Sequence, residues 1–304
     1  MTQDRPVLGI LLMLGFCVLA PLGDAMAKLL GETTPLGVLV FVRFAIQAVI
    51  LVPLVAVSGR PWRMRGRILH LTLIRTGLHI IGITAMFAAL QYLPLADAIA
   101  IAFVMPFIML LLGRYVLGEE VGARRLIACI VGFIGTLLVL QPSFAQVGLP
   151  ALLPLVVAVV FALFMLVTRQ IAKQTDLVSL QAISGVCASA VLLPVLLMGT
   201  QAGVPDLSLV VVLDNIHWLL LAIGVLGTVA HLLMTWSLRY APSATLAPMQ
   251  YLEIPVATLI GWMIFYDLPD GKAALGILIT IAAGLYVILR ERAIGRSAPT
   301  ETPA

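Results

Sequence analysis

Apolar residues run through this chain in long blocks, separated by short clusters that hold proline, glycine or arginine. A helix needs roughly 20 mainly apolar residues to cross the hydrocarbon core of a bilayer. On that measure the pattern predicts ten spans, at about 7–30, 36–57, 71–91, 95–116, 122–140, 149–168, 178–198, 216–238, 244–265 and 273–289. The connections are short and often carry a breaking pair: Thr34-Pro35, Leu93-Pro94, Gln141-Pro142, Ala241-Pro242 and Leu268-Pro269. No connection is long enough for a soluble domain. The segment 293–304, rich in Ser, Thr and Pro, is predicted to be a disordered tail. Arg5, an apolar run and Ala25-Met26-Ala27 loosely imitate a cleavable leader, but Val7 to Leu30 is long enough to span, so a retained first helix is expected.

Composition agrees with lipid as the main solvent. The chain is 62% hydrophobic and 11% charged, with a mean hydropathy of +1.14, against about 45–50% and 25% for soluble domains. The net charge of +4 does not point to nucleic acid, because the cations sit in short connections and not on one aromatic-studded face. They follow a topogenic code instead. With the N-terminus inside, cytoplasmic segments carry Arg5, Arg60, Arg63, Arg65, Arg67, Arg114, Arg124, Arg125, Arg169, Lys173, Arg239, Arg290, Arg292 and Arg296, while the external loops hold only Lys272. Such a bias predicts both termini inside and an even number of spans. Cys17, Cys129 and Cys187 lie inside apolar blocks without pairing or metal-ligand spacing and read as packing residues.

Laid on itself at an offset of 148, the chain matches Met86 to Met234, Leu90 to Leu238, Tyr92 to Tyr240, Pro94 to Pro242, Ala96 to Ala244 and Gly113 to Gly261. Glu119 falls on Asp267, and the small residues Ala128, Gly132 and Thr136 fall on Gly276, Thr280 and Gly284. Each half then holds five spans, and an odd number turns the second half upside down. Inverted halves offer two related conformations around a site at their interface.

The segments "MPFIMLLLGRYVLGEEVGARRLIACIVGFIGTLLVLQP" and "YLEIPVATLIGWMIFYDLPDGKAALGILITIAAGLYVI" resemble the ends of the two halves of EamA-type members of the drug/metabolite transporter superfamily, over residues 7–290. The resemblance implies an all-α carrier of ten helices. Its spans one to four and six to nine surround a central cavity, with 7–140 and 149–290 as the repeats. "GDAMAKLL", "FVRF", "YLEIP" and "DLPD" look most like bacterial S-adenosylmethionine uptake carriers, while riboflavin carriers and amino-acid or drug exporters share the scaffold. A multi-pass protein of the bacterial inner membrane is implied.

Ionisable residues inside the spans need a reason, since each costs at least ~2.5–3.5 kcal/mol at mid-bilayer. Glu253 lies about ten residues into span nine, with Gln250 three residues earlier on the same helical face. Pro255 is expected to free a carbonyl there and bend the helix. Glu253 reads either as a substrate contact or proton-coupling group, or as a clasp to a neighbouring helix. Asp24 and Lys28 share a face of span one, and Arg43 lies at similar depth in span two. The three suit an ion-pair lock or a site for a carboxylate-bearing ligand, unless Lys28 snorkels to the headgroups. His79 and His231 read as neutral hydrogen-bonding groups or a proton-linked switch. Tyr251 and Trp236 can pack or stack on a flat ligand, Asp97 can cap span four, and Glu119, Glu120 and Asp267 read as loop charges paired with adjacent cations. The small-residue ladders of spans five and ten suit packing within the chain more than a dimer contact, so the chain is a monomer or a homodimer.

No H-E-x-x-H, G-x-S-x-G, Walker A or Cys/His metal pattern is present, so neither an enzyme nor a bound cofactor or metal is expected. A channel fits the two-fold repeat less well than a carrier does. The expected function is secondary transport of a small polar metabolite, S-adenosylmethionine-like or zwitterionic, with lipid around it and protons or a counter-substrate as the coupling partner.

Overall fold

Backbone polar groups held away from water must be satisfied within the protein, and a helix does this inside a single segment. The computed structural model describes residues 5–118, 122–209 and 217–297, and the described residues contain helices and no strand. The helices are α1 (Pro6–Leu30), α2 (Leu36–Val57), α3 (Arg67–Leu90), α4 (Leu95–Ala102), α5 (Met105–Val116), α6 (Ala123–Val147), α7 (Leu153–Ala172), α8 (Leu177–Gln201), α9 (His217–Tyr240), α10 (Ser243–Leu246), α11 (Glu253–Phe265) and α12 (Gly271–Ser297). Among the described residues, eight helical stretches are long and apolar enough to cross a membrane, counting Leu95–Val116 as one, while Met249–Phe265 and Gly271–Ala283 are apolar but shorter.

Two boundaries differ from expectation. Gln141-Pro142 is not a connection, because α6 continues through Pro142 to Val147 and ends at Gly148, whose φ of 70° favours a glycine. The first five residues of the segment expected to be disordered, 293–297, belong to α12. Residues 298–304 lie outside the described residues, as do Glu119, Glu120 and the side chains of Arg124, Arg125, Cys129, Arg290, Arg292 and Arg296.

Helices of the first half pack mainly on helices of the second: α1 on α9, α2 on α8, α3 on α7, α4 on α11 and α6 on α12. Exchanging α1 with α7, α2 with α8, α3 with α9, α4–α5 with α10–α11 and α6 with α12 returns the same set of pairs. Residues 148 apart meet across the centre. The rings of Phe103 and Tyr251 lie 5.4 Å apart, and the Thr280 hydroxyl donates to the Gly132 carbonyl at 3.4 Å. The small-residue ladders are used here, since a Cβ on Gly135 would come 2.6 Å from the Gly276 carbonyl.

Matching segments of the two halves are both interrupted near the middle. Phe103 and Val104 separate α4 from α5, and the 3-10 segment Ala247–Leu252 separates α10 from α11. Pro255 therefore does not bend a running helix. It stands in the first turn of α11, where a missing N–H costs little. The interior is lined by apolar side chains such as Met13, Phe44, Leu95 and Phe164, while Val57, Ile81 and Met263 face outward, as lipid permits.

The bundle has two ends. Arg5, whose N–H donates to the Tyr240 carbonyl, Arg60 and Asp176 lie at the proximal end. Lys28, Leu93 and Asp267 lie at the distal end.

Candidate functional site

A cavity of about 70 Å³ lies between the halves, walled by α1 to α5 on one side and α7, α9 and α11 on the other. Phe16, Phe87, Phe103, Phe161, Met86 and Met105 give it an aromatic and thioether lining, and Asp24, Arg43, His231 and Glu253 are its ionisable groups. Pockets that hold drug-sized ligands measure ~300–1,000 Å³, so this cavity must open to admit one.

Arg43 is 2% exposed, and its Nη2 lies 2.8 Å from His231 Nδ1. A guanidinium only donates, so Nδ1 accepts and the proton of the neutral ring sits on Nε2. The Gly227 carbonyl lies 3.0 Å from the same Nδ1 and accepts a hydrogen bond from it only in the other tautomer, with the proton on Nδ1. Gly227 makes room for this pair, because a Cβ there would come 2.8 Å from Arg43 Nε. Asp24, half-buried on α1, is within electrostatic reach of Arg43 and of Glu253. Glu253 is buried as the first residue of α11, set at the cavity by the 3-10 segment before it.

Arg43 Nη1, His231 Nε2 and both ring nitrogens of His79 are buried with no hydrogen-bond partner. A buried orphan polar group costs about 1–3 kcal/mol, so four in one place are an arrangement that packing stability alone does not favour. His79 is fully buried behind His231, with the two ring centroids 4.3 Å apart and Phe44, Phe161 and Phe164 around them.

The other expected site residues lie elsewhere. Lys28 does not join Asp24 and Arg43. Its Nζ binds Asp267 at 3.2 Å and the Leu93 carbonyl at 3.1 Å, at the distal end. Asp267 thus pairs with a cation of the other half and not with a neighbour in sequence. Gln250 is buried with Nε2 on Met165 Sδ at 3.4 Å, and Tyr251 packs on Phe103 and against Gly132. Neither lines the cavity: the Gln250 amide turns to Met165 of α7 and the Tyr251 ring to Phe103. Asp97 accepts from Ser143 of α6 at 3.0 Å and makes no capping bond to its own helix.

Sequence reasoning passed over Arg75. It is fully buried on α3, donating from Nε to Thr168 at 2.8 Å, from Nη1 to Ser184 at 3.0 Å, and from Nη2 to Gln181 at 3.2 Å and Thr235 at 3.3 Å. Its guanidinium also covers the Phe164 ring at 4.4 Å. The available signal was a polar stripe at helical spacing, Thr72, Arg75, Thr76 and His79 on α3, matched by Thr228, His231 and Thr235 on α9.

The chain matches the EamA-like transporter family over residues 7–141 and again over residues 148–290. It belongs to that family. It is therefore a multi-pass membrane protein of a transporter family, and two copies of the family's unit make up nearly all of it. A riboflavin transporter of Rhizobium johnstonii is 32% identical over 76% of this chain and 71% of its own length. An S-adenosylmethionine uptake transporter of Rickettsia prowazekii is 25% identical over 90% of each chain. A pseudopaline exporter of Pseudomonas aeruginosa is 25% identical over 90% of this chain and 91% of its own. A crystal structure at 18% identity superposes with a TM-score of 0.68 over 94% of this chain and 97% of that one, a shared fold.

Proposed function

We propose that this protein is a secondary active transporter of the bacterial inner membrane that carries a small polar metabolite by alternating access. Ten spans form two inverted halves, with both termini in the cytoplasm. The proximal end is then cytoplasmic and the distal end external. The symmetric pairing of the helices and the meeting of residues 148 apart support this arrangement, and the arginine bias supports the orientation.

One observation carries the reading: the cavity lies between the halves, and each half supplies ionisable groups to it, Asp24 and Arg43 from one and His231 and Glu253 from the other. Two carboxylates face one guanidinium, so the wall suits a zwitterion or a cation with a carboxylate, as in S-adenosylmethionine. The substrate carboxylate meets the free Nη1 of Arg43, and its cationic group meets Asp24 and Glu253. Rocking of one half against the other exposes this site to each side in turn, and Glu253 couples transport to protons or to a counter-substrate.

A second reading, a flat aromatic substrate such as riboflavin, is favoured by the Phe16, Phe87, Phe103 and Phe161 lining. Uptake of labelled S-adenosylmethionine and of riboflavin into proteoliposomes separates the two. A carrier saturates and shows counterflow, whereas linear, unsaturable flux would indicate a channel. Glu253→Gln is expected to lower uptake at least tenfold or to abolish its pH dependence, and unchanged uptake at every pH would remove Glu253 from the mechanism.

A further inference from the structure

Arg75 lies toward the proximal end from the cavity, and its bonds cross between the halves. It reaches from α3 to Thr168 on α7, to Gln181 and Ser184 on α8 and to Thr235 on α9. Thr76 adds a bond to Ser184 at 3.0 Å, and Gln47 of α2 donates to the Gln181 carbonyl at 2.8 Å. In the register of the repeat, Ile223 stands where Arg75 does, and Ile223 faces the cavity. This feature therefore has no twin at the distal end.

None of the four side chains that accept from Arg75 is a carboxylate. A carboxylate partner would be stranded if the guanidinium moved away, whereas hydroxyl and amide acceptors can be exchanged for water one by one. The arrangement is suited to opening as well as to holding. It is also linked to the cavity, because the Thr235 hydroxyl donates to the His231 carbonyl at 2.6 Å, one turn along α9 from the ring that Arg43 holds.

We infer that Arg75 is the closing residue of the inner gate: bridging the halves, it keeps cytoplasmic water from the cavity, and its release is the step that opens the inward-facing state. The inference rests on alternating access as proposed above, but its test needs no substrate. In the full chain with Cys17, Cys129 and Cys187 replaced by Ala, a buried reporter on each side, Thr72→Cys near the inner mouth or Ala27→Cys near the outer one, is labelled by a membrane-impermeant maleimide in sealed proteoliposomes of known orientation.

Arg75→Ala is expected to raise inner labelling at least fivefold and to lower outer labelling, and Arg75→Lys to recover part of both. A merely structural role would raise labelling on both sides. That outcome, or no change at either reporter, would overturn the inference. If Arg75→Ala does not fold, the pair Thr168→Val and Thr235→Val decides, with shifts of the same opposite signs expected and parallel or absent shifts counting against it. Labelling that shifts as expected in a protein that takes up neither S-adenosylmethionine nor riboflavin would retain the gate and discard the substrate. Uptake with counterflow and no shift would do the reverse.

Discussion

At the proximal end the two halves are tied by the buried Arg75 cluster, by the Arg60–Asp176 ion pair at 2.6 Å and by Arg67 donating to Gln170 at 3.1 Å. At the distal end, the ion pair that joins the halves among the described residues is Lys28–Asp267, with the Lys28 ammonium also 4.8 Å from the Phe265 ring. The two ion pairs are equally exposed, with side-chain exposures of 39% and 22% at the proximal end and 19% and 40% at the distal end, so the difference between the ends is the fully buried Arg75 cluster that lies beneath the proximal pair. The interface between the two family units is therefore tied unequally at its two ends. Under the alternating access proposed above, unequal ties of this kind set which of two related open states is favoured at rest.

The most damaging change is expected at the cavity itself, beside the Arg43–His231 pair that the Arg75 cluster reaches through Thr235. Gly227→Ala drives a methyl group against Arg43 and separates it from His231, which leaves a buried guanidinium with still fewer partners. Uptake should fall at least tenfold and the protein should lose about 2–3 kcal/mol of stability, read by flux and by thermal unfolding in detergent. Normal uptake in this variant would separate the Arg43–His231 pair from transport.

A smaller effect is expected at the distal end. Lys28→Met removes the ion pair with Asp267, and a partly exposed pair contributes about 0–1 kcal/mol. Stability should hardly change, yet outer labelling of Ala27→Cys should rise two- to fivefold, because the halves lose their tie there. A stability loss as large as that of Gly227→Ala would mean that the two ends are not unequal in the way described.

The smallest effect is a pH response of the proximal mouth. Burial acts to raise the Asp176 carboxyl, but the Ser179 amide and hydroxyl and the Arg60 guanidinium outweigh it and hold the group below its usual range. A depressed carboxylate contributes its full stabilisation above the ordinary value of about 4 and loses it as pH falls through the lower folded value. Hydrogen exchange at the Ser179 amide, corrected for its chemical rate, should stay protected from pH 8 to about 5 and lose protection only below about 4. Loss near neutral pH would assign closure of this mouth to a different group.

Much of the scaffold was legible before any coordinates. Long apolar blocks fix where a chain leaves water, and the match of Tyr92-Leu93-Pro94 to Tyr240-Ala241-Pro242 exposed the repeat. The polar residues were harder to read. Asp24 and Lys28 share a helical face by spacing, yet one meets the cavity and the other reaches Asp267, 239 positions along the chain. Gln250 and Glu253 are three positions apart, yet Gln250 turns to Met165 while Glu253 lines the cavity, a difference that spacing does not decide. Proline positions misled as well, since Pro142 sits inside a helix and Pro255 stands in the first turn of one.

The sequence by itself determined that the chain is helical and suited to lipid, and that one family unit occurs twice in it, because hydropathy and repetition can be read along the chain without knowing how it folds. Only the tertiary structure decided which ions meet. The Arg43–His231 contact joins residues 188 apart and the bonds of Arg75 join residues 93 to 160 apart, and no periodicity within a helix specifies which neighbour a buried guanidinium will find. That choice is made by how the helices of one half pack on those of the other, where each buried donor is matched to an acceptor or left without one.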